Sequence, residues 1–352
     1  MARGRGGFIG QDGLNAPDSP TGVSAVKGNT QATISFTAPT DVGGSAITGY
    51  VVTSNNGIGA TGSGSPITVT GLTNSTAYTF KVFAINAFGY SAPSDATNSV
   101  TPDEAGQDAY TSAGSYSWVC PTGISSVSVV AVGPCGGNDA SSAGTASAGG
   151  GLGYKNNISV SAGSSYSIVV GAAHSGTDSY FVATSTVKGG AGGTGGNGGG
   201  TKTGDGGGNG GGSGITAGGG AGGYSGNGGT GGSTNSNGNA GSGGGGGGGF
   251  SYYIGGAPYT ETGGGGGGVG LLGEGSSGTA GTDAQGAGGG SGGTDATPRS
   301  GKVGGNGGLY GGGRGISRTG SGVQNGVGAG GAVRVIYPGD TRSFPSTNTG
   351  DV

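Results

Sequence analysis

The side chains that could carry out chemistry are few. The chain has two cysteines and one histidine, and charged residues make up only 8% of it. Cys120, Cys135 and His174 cannot complete a tetrahedral zinc site without carboxylates, and their spacing matches no ligand pattern. A disulfide between the cysteines would close a loop of about fifteen residues and stabilise by roughly 3 kcal/mol. No export signal accompanies them, so two free buried thiols are the expected state. His174 lies in Gly171-Ala172-Ala173-His174-Ser175-Gly176 and reads as a surface-loop histidine. Gly-x-Gly-x-x-Gly recurs through composition but never between a hydrophobic strand and a helix, so it carries no dinucleotide signal. Ser300-Gly301-Lys302-Val303 lacks the first glycine and the hydroxyl residue of a phosphate loop. No Gly-x-Ser-x-Gly elbow stands out in so glycine-rich a chain, and the histidine has no evident nucleophile or carboxylate partner. The paired acids Asp103-Glu104 fall in a linker. The expectation is a protein that is not an enzyme, with no cofactor and no metal. What remains is contact chemistry. Tyrosine supplies area at low entropic cost and a hydroxyl for polar ligands, which suits glycan or protein surfaces. Phe250, Tyr252, Tyr253 and Tyr259 are the candidate binding residues, and their packing onto the surrounding chain as a local core is the alternative.

Those aromatics interrupt a stretch, Gly189 to Gly331, built largely of Gly-Gly-X triplets, which holds most of the 102 glycines in 352 residues. Ordering glycine costs about 0.5–1 kcal/mol more per site than ordering alanine. Such a stretch either stays disordered or finds a packing that only glycine permits. X recurs every third residue at Ala191, Thr194 and Asn197, and again at Asn227, Thr230 and Ser233. A period of three predicts polyproline II geometry, with every X on one edge and two edges of bare backbone. Collagen is excluded because only Pro258 and Pro298 occur there. With two bare edges, neighbouring segments can stack so that N–H groups donate to carbonyls next door. A flexible linker is the rival reading. Against it stand the flanking β patterns, the near absence of charge, and the clusters Phe250–Ile254, Leu271-Leu272 and Leu309-Tyr310. The Gly-Gly-x-Gly-x-Asp repeat of a calcium β-roll is missing, so the Asn and Asp residues read as turn formers.

From Ala16 to Pro102 short alternating runs are separated by turn residues about every ten positions, the pattern of an antiparallel sandwich. The expected strands are Thr21–Val26, Gln31–Thr37, Gly49–Ser54, Pro66–Thr70, Ala77–Asn86 and Ser99–Thr101. Ile34 and Phe36, Tyr50 and Val52, and Tyr78, Phe80, Val82 and Ala84 share buried faces. Leu72 followed by Tyr78 predicts a tyrosine corner. The run Gly71–Val82 and the entry Ala16–Val23 resemble a fibronectin type III domain, with Phe36 where that family usually has tryptophan. A second β region runs from Tyr110 to Val182, with Val127–Val132, Asn157–Val160 and Tyr166–Val170 as its clearest strands. Its missing companion is Gly331–Pro338, where Val333, Val335 and Tyr337 alternate with Arg334 and Ile336.

The formal net charge of −3 leaves no basic footprint for phosphate backbones, so no nucleic-acid partner is expected. No window holds eighteen apolar residues, and neither Sec export nor membrane insertion is expected. Arg3 and Arg5 are read either as a solvated tail or as docking residues for an acidic surface.

The segments Ser115–Gly123, Gly150–Ile158 and Gly331–Pro345 look like the glycine-rich domains of bacteriophage tail-fibre and virion structural proteins, cyanophage ones especially. This resemblance implies a mainly β chain in six parts. They are an attachment segment (1–15), a fibronectin type III-like β-sandwich (16–102), a linker (103–109), a β region (110–188), an inserted polyglycine II-like helical sandwich (189–330), and a closing strand with tail (331–352). It implies a fibre or adhesin in the virion, held to other virion proteins through its N-terminus and recognising a host-surface glycan or protein. A capsid- or neck-decorating fibre without a dedicated receptor, and a secreted bacterial adhesin or matrix protein, are the alternatives. Either a homotrimer or a monomer built on an intramolecular glycine lattice fits.

Overall fold

The computed structural model describes residues 15–137, 146–193, 198–254, 260–282, 288–289, 304–319 and 322–346. All of the expected attachment segment except Asn15 lies outside them. The chain divides into two compact units, Met1–Ala105 and Gly106–Val352.

In the first unit the alternating runs form β1 (Thr21–Gly28), β2 (Gln31–Thr37), β3 (Gly49–Ser54), β4 (Gly59–Gly62), β5 (Ile67–Thr70), β6 (Phe80–Asn86) and β7 (Gly89–Tyr90). They make two antiparallel sheets, ordered β1-β2-β5 and β4-β3-β6-β7. Between them lie Ile34, Phe36, Tyr50, Val52, Val69, Leu72, Phe80 and Val82. Phe36 meets Tyr50 in this core with ring centroids 4.8 Å apart. The Tyr78 hydroxyl accepts the Thr73 N–H at 3.1 Å, which is the tyrosine corner. The tyrosine is buried, so the bond also satisfies its polar end.

The chain after β7 keeps the sheet going by another route. Ser91, Ser94 and Thr97 donate their N–H groups to Ala84 O, Val82 O and Phe80 O. Their hydroxyls in turn accept the N–H groups of Ala84, Val82 and Phe80 at 2.9, 2.9 and 3.1 Å. A period of three, with Pro93 between the first two contacts, marks polyproline II backbone rather than a pleated strand. Side-chain hydroxyls supply the contacts that a pleated partner would have made with its own backbone.

The second unit contains β8 (Gly106–Tyr110), β9 (Gly114–Val119), β10 (Ser126–Val132), β11 (Leu152–Ser159), β12 (Ser165–Val170), β13 (Ser179–Phe181) and β14 (Val187–Gly189). It continues with β15 (Lys202–Thr203), β16 (Gly206–Gly208), β17 (Ser251–Ile254), β18 (Thr260–Gly263), β19 (Ile316–Thr319), β20 (Gly322–Asn325) and β21 (Ala332–Tyr337). Two five-stranded antiparallel sheets, β16-β11-β10-β21-β8 and β15-β14-β13-β12-β9, enclose Trp118, Val127, Val129, Ile168, Phe181, Val187, Val333 and Val335. The Trp118 indole N–H donates to Asp108 Oδ2 at 2.8 Å. The opposite face of β10 and β21 presents Val130, Val132 and Ile336 to Ala221, Tyr224, Val269, Leu271 and Phe344. Burial on both faces explains why β10 reads as a continuous apolar run. Arg334 is buried at 2% exposure, and its guanidinium donates to Leu271 O at 2.9 Å and to Gln107 Oε1.

Among the described residues no helix forms, so the inserted polyglycine II-like helices expected of the triplets are not seen. The glycine segments instead run as extended lengths bonded to one another. Gly218 and Ala221 donate to Gly264 and Gly267, Gly219 and Gly222 to Ser147 and Gly150, and Gly220 and Gly223 to Gly229 and Gly226. Each successive N–H thus turns to a different neighbour, and every third returns to the same one. The departure from the expectation has a simple cause: each segment bonds outward to its neighbours, so no internal hydrogen-bond ladder holds a helix.

Close approach is what the missing side chains permit. A Cβ on Gly220 would stand 2.0 Å from Gly246 O, and one on Gly246 2.1 Å from Gly267 O. At Gly198 a Cβ would meet nothing within 4 Å. Gly220→Ala is therefore expected to destabilise the second unit by about 3 kcal/mol or more, as an overpacked core does. Gly198→Ala should leave stability unchanged or raise it by about 0.5 kcal/mol. Thermal unfolding of the two variants checks both, and equal melting temperatures would refute the packing role.

Candidate recognition surface

Glycine segments lead away from the sandwich and end in the antiparallel sheet β17-β18-β19-β20. At one end of the segment 216–224, Ala221 and Tyr224 pack against the sandwich strands; at the other, Thr216 O accepts the N–H of Ile316 in β19. The small sheet is thereby held at the far end of the glycine segments.

Its register pairs Tyr252 with Thr262, and Thr262 with Ser317. Thr262 and Ser317 are fully buried, while Tyr252 and Phe250 are half-buried. Phe250 and Tyr252 are two residues apart, share a side, and bring their ring centroids to 6.5 Å. Ser251 points the other way and is buried, its hydroxyl 2.7 Å from that of Thr216. Tyr252 thus shares a face with the buried Thr262 and Ser317, whereas Ser251 and Thr216 meet on the other, so buried hydroxyls lie on both faces of the sheet beside the half-buried aromatics. Ser317 Oγ and Asn325 Oδ1 are buried there without hydrogen-bond partners.

Of the four candidate binding residues, the structure brings Phe250 and Tyr252 together. The backbone of Tyr253 pairs with Glu261, but its side chain, and all of Tyr259, lie outside the described residues. Leu271 is buried in the sandwich-side core with Tyr310 against it, whereas Leu272 and Leu309 are each 50% exposed.

The remaining reactive groups lie apart. Both cysteines are free and buried. His174 lies in a turn, as its sequence context suggests, and is partly buried there. Its ring is half-buried, with Nδ1 2.8 Å from Gly136 O and 3.7 Å from Cys135 Sγ. The Cys135 thiol is pushed up to about 11 by burial, which outweighs the opposing hydrogen bond from Ser147 and the charge of Arg314. A protonated, fully buried thiol is no nucleophile near neutral pH. Burial likewise raises the Tyr224 phenol above its ordinary range, although Gly273 N–H donates to it at 3.2 Å. Among the described residues no three His, Cys, Asp or Glu side chains come together as a metal would require. No helix of the described residues is long and apolar enough to cross a membrane.

Residues 18–100 match the fibronectin type III domain family, and the chain carries that domain at its N-terminal end. Among solved structures it is similar to a group of titin domains, with 30% identity over 25% of this chain and 33% of that one and a TM-score of 0.24. It is similar to the twitchin kinase region of C. elegans, with 24% identity over 25% and 17% of the two chains and a TM-score of 0.24. Domains FN1 to FN3 of chicken CNTN1 share 15% identity over 50% of this chain and 66% of theirs, also with a TM-score of 0.24. The chain therefore spans 33% of the titin chain and 17% of the twitchin chain. No curated relative matches the chain.

The Cys135 environment makes a pH-dependent prediction. The folded state binds the thiol proton more tightly than an unfolded chain with the ordinary value of 9.0. Its contribution to stability is full below that value and is lost as pH rises through about 11. Replacing Cys135 with Ser should flatten the alkaline fall in melting temperature, and the native thiol should resist alkylation until the chain unfolds. Rapid native alkylation at neutral pH would contradict the burial.

Proposed function

We propose that this chain is a bacteriophage virion fibre or adhesin whose glycine-rich unit recognises the host surface, and that it is not an enzyme. The fibronectin type III domain supports an adhesion or structural role in general terms. The host-recognition reading rests on one observation: Phe250 and Tyr252 are held side by side, half-exposed, on a small sheet at the far end of stiff, side-chain-poor segments. In this reading those segments behave as a threefold polyglycine lattice, each N–H bonded to a neighbouring segment in rotation. Rigid aromatic anchors lose little entropy on binding, and their hydroxyl and ring edges suit glycan or protein ligands. The fibronectin type III unit serves as a spacer, and residues 1–15 attach the chain to other virion proteins.

Phe250→Ala and Tyr252→Ala, alone and together, are expected to weaken binding of the purified chain to host cells by about tenfold or more, while melting temperatures hold. Unchanged binding would remove the tip assignment. Immunogold labelling of phage particles tests location: label at the tail tips is expected, and label confined to capsid or neck would replace the receptor reading with a decorating fibre.

A further inference from the structure

An asparagine followed by glycine can modify itself. The glycine nitrogen attacks the asparagine Cγ, a C–N bond forms, the side-chain amide leaves as ammonia, and a cyclic imide results. Water then opens the imide to aspartate or isoaspartate, so one amide is exchanged for one carboxylate with no oxidant or cofactor. Glycine favours the attack because no Cβ hinders the rotation that brings nitrogen to carbon. The native fold blocks it wherever that nitrogen is held in a hydrogen bond, because the bond must open first.

The sequence contains seven Asn-Gly pairs, at Asn56, Asn197, Asn209, Asn227, Asn237, Asn306 and Asn325. Asn197 lies outside the described residues. In five of the others the glycine N–H is engaged: Gly57 to Ser54 O at 3.1 Å, Gly210 to Gly200 O at 2.9 Å, Gly228 to Asn209 O at 2.9 Å, Gly307 to Val327 O at 2.8 Å and Gly326 to Gly315 O at 3.0 Å. Two of these asparagines are tied down as well, since Asn227 Oδ1 accepts Asn209 N–H and Asn306 Oδ1 accepts Val327 N–H. Gly238 is the exception, because its N–H makes no hydrogen bond among the described residues. Asn237 is exposed, and its side chain is not hydrogen-bonded either.

We infer that Asn237 is a self-modification site of the native protein, converting to aspartate or isoaspartate while the other described Asn-Gly pairs are protected by the backbone bonds that build the fold. The change alters an edge that carries no charge. From Thr230 to Ser242 the chain carries no charged residue, and Ser233, Thr234, Asn235 and Asn239 beside Asn237 are exposed. Conversion adds a carboxylate to this row. The isoaspartate form also inserts a backbone atom just before Gly238, whose Cβ position is only 2.2 Å from Gly248 O. The bonds of Asn239 to Thr230, N–H to O at 2.9 Å and Nδ2 to Oγ1 at 2.7 Å, lie immediately beyond. Modification thus marks the age of a folded particle at one defined place.

The test is to hold the full-length native protein in warm, mildly alkaline buffer and follow each Asn-Gly pair by peptide mass spectrometry after acidic digestion. Asn237 should convert roughly tenfold faster than Asn56, Asn209, Asn227, Asn306 and Asn325, the factor expected for opening one backbone hydrogen bond. In denaturant the rates should become similar. Asn237→Gln, an exposed and conservative change, should keep the melting temperature and abolish the fast native conversion. Equal rates at all sites in the folded protein, or an Asn237 slower than the bonded pairs, would overturn the inference.

Discussion

The second unit depends on one interaction, the hydrogen bond from a glycine N–H to a carbonyl on a neighbouring segment. Singly such a bond contributes little, because it replaces bonds to water. Repeated around consecutive residues, as from Gly218 to Gly223, it ties one segment to three neighbours at once. The bonds form only if backbones meet, and backbones meet only if nothing projects between them. Glycine is therefore required for the space a side chain would take, at 2.0 Å from a carbonyl in the case of Gly220. The entropic cost of ordering so many glycines is offset in part by such bonds, which the N–H groups of Gly218 to Gly223 all make, in a region that has few apolar side chains to bury.

From this constraint follows the division of labour in the rest of the unit. Hydrophobic burial is concentrated at the sandwich end, where Trp118, Phe181 and the valines of β10 and β21 form one core and Leu152, Tyr224, Leu271 and Phe344 another. Tyr154, Tyr224 and Phe344 meet there with ring centroids 5.7 to 6.1 Å apart, anchoring the near turns of the glycine segments. At the other end the small sheet keeps hydroxyls inside, Thr216, Ser251, Thr262 and Ser317, and aromatics at its partly open surface. Apolar burial is concentrated at one end, and backbone hydrogen bonds hold the segments between.

Legibility in the sequence followed the period of each element. Strands that alternate strictly, such as Tyr78, Phe80, Val82 and Ala84 or Val333 and Val335, could be read at once, because one face must be buried. The stretch from Ser91 to Thr97 could not, since its contacts recur every third residue and an alternation search passes over them. Triplets pointed to a period of three in the glycine region, yet the pairing of segments depends on contacts such as Gly219 with Ser147, which no local pattern encodes. Strands β18 to β20 are four residues each and bounded by glycine or turn residues, too short for alternation to stand out. At the candidate surface, the run from Phe250 to Ile254 was visible, but not that Ser251 turns inward to Thr216. The contact of His174 with Cys135 was not legible, because the two are distant in sequence and nothing around either residue refers to the other.

The order of the five-stranded sheet β16-β11-β10-β21-β8 has a consequence for how the molecule is made. Its central partner for both β10 and β8 is β21, residues 332–337, which a ribosome delivers after every other strand. Until those residues emerge, β10 has a bare edge and β8 has no neighbour at all, while the whole glycine region waits as an insertion between strands that cannot yet close. Closure of the sheet thus waits on a strand that follows the whole glycine region. A chain cut short anywhere in the glycine region lacks the strand that shuts the sandwich, and its unpaired edges are open to pairing with other chains.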